Sequence, residues 1–224
     1  MDSLSELESK LLVAQARLKK ATDALAPKHQ GGEWEEYWAA HDELVKLERE
    51  VASMKGETHA IPANFPIKWD TGAPLPHVLI SDYMTLLTFL ISEVSPDWDG
   101  TTVTVKSPND QMPQALALVE FSGCITAKLG SPNDEVFHGH SLHGKGQEPY
   151  TAQIVVNSPW IKEIEENNKV HRHYNSESWR TLKHYIFWFH DTTFECIARS
   201  FSVQVYNESV EQMLKRMCSR LLDL

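Results

Sequence analysis

The chain has 224 residues, 42% hydrophobic and 23% charged, enough apolar material for one substantial core and a composition that speaks against wholesale disorder. Its 31 acidic residues against 21 Lys and Arg leave a formal net charge of -10, a field that repels phosphate backbones and anionic membranes, so neither nucleic-acid nor membrane binding is expected. The cysteines Cys124, Cys196 and Cys218 are far apart and form no CxxC pair, so they read as reduced thiols; with no secretory signal in "MDSLSELESK", a cytoplasmic location is the expectation.

Leu4, Leu7, Leu11, Ala14, Leu18, Ala21 and Leu25 recur at alternating spacings of three and four, the seam of a coiled-coil-like helix. Pro27 and the Gly31-Gly32 pair end that helix. A second amphipathic run from Glu33 to Lys55 carries Trp34, Tyr37, Trp38, Leu44, Leu47, Val51 and Met54, so residues 1–56 read as a helical hairpin. Residues 57–77 hold Pro62, Pro66, Pro74 and Pro76 and read as an extended connector, laid against the surface through Phe65, Ile67 and Trp69.

From Val78 to Val94 the apolar positions fit a helical period, stopped by "PDWDG". "TTVTV" (101–105) is a short strand, and "ALALVEF" and "CITAKL" flank Ser122-Gly123 as the arms of a hairpin would. "TAQIVV" (151–156) is another strand. Pro159 opens one helix and Ser176 a second, "HYIFWFH" and "FECIARSFSVQVY" supply the last strands, and Ser209 with Gln212 caps a closing helix striped by Val210, Met213, Leu214, Met217 and Leu221. The expected fold is α+β: a mostly antiparallel sheet packed by helices, preceded by the N-terminal helical hairpin, with 78–224 as the main domain. "SPND" occurs at 107–110 and again at 131–134, and turn chemistry explains both.

Candidate chemistry centres on histidine. His138, His140, His143, His171, His173, His184 and His190 crowd one stretch, and imidazole both titrates near neutrality and binds metals. In "EVFHGHSLHGKG", His138 and His140 share a side of an extended backbone and His143 can add a third ligand, so a divalent transition metal on these three is one reading. A glycine-rich, solvated loop is the bland alternative, because no HExxH or CxxC framework accompanies it. Lys145, between two glycines, is a ligand-binding candidate.

In "HYIFWFHDTTFECIAR" strict alternation places Tyr185, Phe187, Phe189, Phe194, Cys196 and Ala198 on one face, which reads as core. Asp191 and Thr192, or those two with Thr193, form the turn; the two-residue turn sets Trp188 opposite Glu195 and His190 opposite Thr193, with Glu195 diagonal to His190. On that register His190 and Glu195 form an acid/base pair, Trp188 a wall and Asp191 a further ligand contact, with His138 and His140 joining them if the glycine loop folds over. The competing reading pairs Glu195 with Arg199 and leaves His190 exposed. Asp134 and Glu135 can supply carboxylates near His138, and His171 and His173 flank Arg172. No GxSxG, Walker loop or GxGxxG is present, and Cys196 faces the core, which argues against a thiolate nucleophile there.

The expected function is a soluble protein with a His/Asp/Glu-lined pocket that binds or transforms a small polar molecule by acid/base or metal-assisted chemistry. The alternative is a noncatalytic protein–protein interaction module, in which residues 1–56 mediate homo-oligomerisation or the acidic surface selects a basic partner.

Overall fold

Two helices open the chain, α1 (Leu4–Leu25) and α2 (Gly32–Met54), and their apolar stripes meet. Leu7 and Ala14 of α1 pack with Leu47 and Val51 of α2, with Leu4, Leu11 and Leu44 around them. The pair is antiparallel: Arg17 bonds Glu36 and Glu43, while Glu8 pairs with Lys55 at the other end. The seam expected on α1 is the buried one, but Trp34, Trp38 and Met54 of the stripe expected on α2 are exposed, and Ala40, Val45 and Ala52 are buried in their place. The coordinates are those of a computed structural model and describe residues 2–25, 32–92, 107 and 111–222. The Pro27 break, all of "PDWDG", the 101–105 strand and most of the first "SPND" lie outside the described residues.

The remaining elements are β1 (His59–Pro62), β2 (His77–Ile80), β3 (Thr85–Leu90), β4 (Gln114–Ser122), β5 (Thr126–Gly130), β6 (Ala152–Val156), α3 (Pro159–Asn168), α4 (Ser176–Arg180), β7 (Lys183–Trp188), β8 (Thr193–Ala198), β9 (Ser200–Glu208) and α5 (Val210–Leu222). The protein is α+β, with antiparallel pairing between β2 and β3, β3 and β4, β4 and β9, β5 and β8, and β7 and β8. It divides into two units. The first holds Met1–Ile61, His138–Glu148 and Val155–Pro159; the second holds Pro62–Phe137, Pro149–Ile154 and Trp160–Leu224.

In the second unit one sheet carries β6, β7, β8 and β5 in that order, and the other runs β2-β3-β4-β9. Between their facing surfaces lies an aromatic core: Phe187, Phe189, Phe194, Tyr185 and Cys196 from the first sheet meet Leu87, Phe89, Val119 and Phe121 from the second. Phe187 and Phe194, opposite each other across β7 and β8, lie 5.9 Å apart edge-to-face. On its other face the second sheet presents Leu86, Leu90, Leu116 and Leu118 to Val210, Met213 and Met217 of α5. That helix starts with the expected box, Gln212 N–H donating to Ser209 Oγ and Ser209 N–H to Gln212 Oε1.

Four expectations are corrected. The described part of the 78–94 segment, 78–92, is not a helix: β2 and β3 form a hairpin turned by Ser81, whose hydroxyl accepts the amides of Tyr83 and Met84. Because β3 is buried on both faces, its apolar residues run without alternation, and a continuous run fits a helix as readily as a doubly covered strand. Ser122-Gly123 does not close a hairpin either. β4 belongs to one sheet and β5 to the other, and Gly123, at φ 58 with Arg199 where a Cβ would stand, carries the chain across. A second crossing at Arg199 splits the expected last strand into β8 and β9; Arg199 N–H donates to Ser122 O. The connector is more than a surface strap, since Trp69 is buried in the aromatic core with Phe65 and Ile67 packed beside it, and its indole N–H donates to Trp188 O.

Candidate functional site

The β7–β8 hairpin carries most of the chemistry, and its register decides which groups meet. Trp188 stands opposite Thr193 and Ile186 opposite Glu195, while Phe189 N–H donates to Thr192 O, so the turn is His190-Asp191. The expected turn at Asp191-Thr192 is therefore one residue late, and every expected cross-strand pair is two residues out. Both registers keep the same side chains on the same face, so alternation could not separate them. The observed one sets Phe187 against Phe194 and lets the Thr193 hydroxyl donate to Pro132 O at 2.8 Å.

As a result Glu195 and His190 do not pair with each other. Glu195 lies diagonal to His184, whose Nε2 is 2.8 Å from Oε2, and Lys128 of β5 approaches Oε1 at 2.8 Å. Trp160 of α3 sets its ring edge-on to His184 at 5.1 Å and carries the Lys128 ammonium over its face at 4.9 Å. Both pairing side chains are buried. Burial pushes the Glu195 carboxyl up, but the hydrogen bonds from His184 and Lys128 outweigh it and hold the carboxyl below its ordinary range. Trp188, expected as a wall of the site, is buried on the same face and meets Phe137 edge-on at 5.0 Å.

His190 has found a different carboxylate. Its Nδ1 lies 2.7 Å from Asp134 Oδ2, and the same oxygen accepts the Tyr150 hydroxyl. Asp134 is fixed by its own backbone, its N–H donating to His190 O across the hairpin tip. Tyr150 sits at φ 55, a left-handed conformation that costs a residue with a Cβ about 1–2 kcal/mol. The His190 side chain is 43% exposed and that of Asp134 20%. The bond to Asp134 raises the imidazole above its ordinary value, aided by the charges of Asp134, Asp191 and Glu135. Burial works to raise Asp134, yet the bonds from Tyr150 and His190 prevail and lower it. Tyr150 is pushed up to about 12 by burial and by its bond to the Asp134 carboxylate.

The glycine-histidine loop belongs to the first unit, whereas His190, Glu195, Trp188 and Asp191 belong to the second. Within its unit the loop is tied to α2 and β1. Gly146 N–H donates to Glu48 Oε2, Arg49 donates to Gly146 O and Ala60 O and pairs with Glu148, and Lys145 pairs with Glu57 at 3.5 Å. Gly146 has φ +80, and a Cβ there would lie 2.7 Å from Ala60 O, so glycine is required where loop meets strand. His140 Nδ1 accepts Leu142 N–H and lies 3.2 Å from the buried Gln147 amide, while the His138 and His143 rings meet edge-on at 4.9 Å. Burial raises Glu48, offset in part by Gly146 N–H, His143 and His41. Among the described residues no three His, Cys, Asp or Glu side chains form a group able to hold a metal ion.

His171 and His173 lie 5.7 Å apart on the α3–α4 connection. Sequence reasoning overlooked His184 as the partner of Glu195, although alternation already put both on one face. Tyr150 gave no local signal at all, because its contact with Asp134 spans a loop. No helix among the described residues is long and apolar enough to cross a membrane. Compared with known protein families, curated proteins and solved structures, the chain gives no match.

Proposed function

We propose that the second unit carries an acid/base site for a small polar molecule at the β7–β8 hairpin tip, with His190 exchanging the proton and Asp134 orienting its ring. The observation that carries this reading is an imidazole bound through Nδ1 to a largely buried carboxylate while almost half exposed. Nδ1 is committed to Asp134, so Nε2 is the nitrogen that meets a ligand. Tyr150 on the same carboxylate oxygen fixes Asp134 in turn, and Asp191 and Glu135 around the ring favour a neutral or cationic ligand over an anion.

Small hydroxyl- and amine-bearing fragments, screened by NMR against the full chain, test the proposal. Fragments that bind are expected to shift the His190 and Tyr150 signals and to lose about tenfold or more in affinity in His190→Asn, as removal of a hydrogen bond to a charged group predicts. His171→Asn should leave them unchanged. Equal binding to wild type and His190→Asn, or shifts confined to other residues, overturns it.

The second reading, an interaction module, is supported by the apolar exposure of the helical pair: Leu12 is 68% and Val13 70% exposed on α1. Self-association through a coiled-coil-like pairing of residues 1–56 predicts that Leu12→Glu with Val13→Glu lowers the solution mass to that of a single chain. An unchanged mass sinks it.

A further inference from the structure

The first unit holds a cavity of about 520 Å³ lined by α1, α2 and β1, within the ~300–1,000 Å³ that small-molecule sites occupy. Gly56, at φ 66, follows the end of α2 and turns the chain, and Arg49 of that helix donates to Ala60 O, which holds β1 beside it. His59 and Ile61 are alternate residues of β1 and so share one side of the strand; both line the cavity. Leu7 of α1 and Met54 of α2 extend the apolar wall, and Met54 is 53% exposed, an apolar side chain left open to solvent beside the cavity.

His59 is the polar group enclosed by that wall. It is only 4% exposed, and its Nδ1–H donates to Glu57 O at 2.9 Å, so in the neutral ring Nε2 carries the lone pair. Among the described residues that nitrogen has no hydrogen-bond partner. A buried acceptor is normally paired, and a donor entering the cavity would satisfy this one. The lining charges fix what kind of donor fits. Arg49 is neutralised by Glu148 and also donates to Gly146 O, so its charge is already committed. Asp2 pairs with Lys10, whereas Glu50 has Lys46 4.0 Å away and 76% exposed, a pair that water screens.

We propose that this cavity is a binding site for a small amphipathic amine. The hydrocarbon body lies on Leu7, Met54 and Ile61, the ammonium donates to His59 Nε2, and the Glu50 carboxylate favours its charge. A carboxylate of the same size is rejected twice: it brings no donor to Nε2, and it meets the like charges of Glu50 and Asp2. An alcohol satisfies His59 but gains nothing from Glu50, so it binds more weakly than the amine. Every lining residue belongs to the first unit, so this site and the hairpin-tip site of the second unit fail separately.

Titration of the full chain with hexylamine, hexanol and hexanoate, followed by NMR at the His59 ring and the Met54 methyl, tests the proposal. Hexylamine is expected to bind saturably and move both signals, hexanol to bind severalfold more weakly, and hexanoate to give no saturable shift. Glu50→Gln should bring hexylamine down to the level of hexanol. His59→Phe keeps a ring of similar size without the acceptor and should weaken hexylamine about tenfold. Should that variant fail to fold, Ser53→Trp places the change on an exposed position of α2 at the cavity and should block hexylamine by filling it. Hexanoate binding as tightly as hexylamine overturns the assigned ligand chemistry. The site itself is overturned by the absence of a saturable shift with hexylamine, by shifts that spare His59 and Met54, or by undiminished binding in Ser53→Trp.

Discussion

The second unit holds two imidazole–carboxylate pairs, built from the same two functional groups and set within one hairpin's length of each other. His184 and Glu195 meet at 2.8 Å with both side chains sealed under Trp160, and Lys128 supplies a positive charge. His190 and Asp134 meet at 2.7 Å at the hairpin tip, with Tyr150 on the carboxylate and the imidazole open to solvent. Depth separates their roles. A sealed pair has no path to a ligand and holds strands together, whereas an open pair keeps one ring nitrogen for exchange.

On that division the two pairs respond differently to removal of the carboxylate. Glu195→Ala leaves a buried imidazole without its acceptor and a vacancy beside Ile186, so denaturant unfolding should show a loss of about 1–3 kcal/mol. Lys128→Ala should cost far less, because that side chain is 58% exposed and the pair is screened. A neutral outcome for Glu195→Ala would break the comparison, since the sealed pair would then hold nothing.

Asp134→Asn is expected to act on titration more than on stability. With the imidazole 43% exposed the pair is screened, which limits the stability change to about 1 kcal/mol or less, while the His190 midpoint, followed by NMR, should fall toward the ordinary imidazole value of 6.5. The pair's contribution has a defined window. A raised imidazole stabilises fully below its ordinary value and loses that contribution as pH rises through the raised one. A lowered carboxyl stabilises above its ordinary 3.8 and loses the contribution as pH falls through the lowered one. The gap in stability between wild type and Asp134→Asn should therefore be widest between pH 3.8 and 6.5 and narrow on both sides.

How much of this the chain disclosed beforehand depends on the range of the interaction. The α1 seam, the closing helix with its Ser209 cap and the core face of β7 and β8 were legible because each rests on local periodicity or a local hydrogen bond. β3 was misread because burial on both faces erases alternation. Alternation also fixes only the parity of a hairpin, so it placed Glu195 on the correct face and still assigned it the wrong histidine. The two sheet crossings, at Gly123 and Arg199, follow from which sheet each strand joins, and no local pattern encodes that. Asp134 and Tyr150 come together across a loop, and only the folded chain shows that they share an oxygen.

Tyr150 offers the finest test of the open pair. Its hydroxyl and the His190 ring occupy the same Asp134 oxygen, so Tyr150→Phe removes one of the two side-chain bonds that lower the carboxyl and leaves the other in place. The Asp134 midpoint should then rise toward 3.8 while His190 stays raised, because its own largest cause, the bond to Asp134, is untouched. Stability should change by about 1 kcal/mol or less, the net worth of one hydrogen bond. Side-chain NMR titration of Asp134 and His190 in the same sample reads both groups. If His190 falls as far in Tyr150→Phe as in Asp134→Asn, the phenol is what holds the carboxylate against the ring, and the dyad becomes a triad in which Tyr150 is the positioning residue.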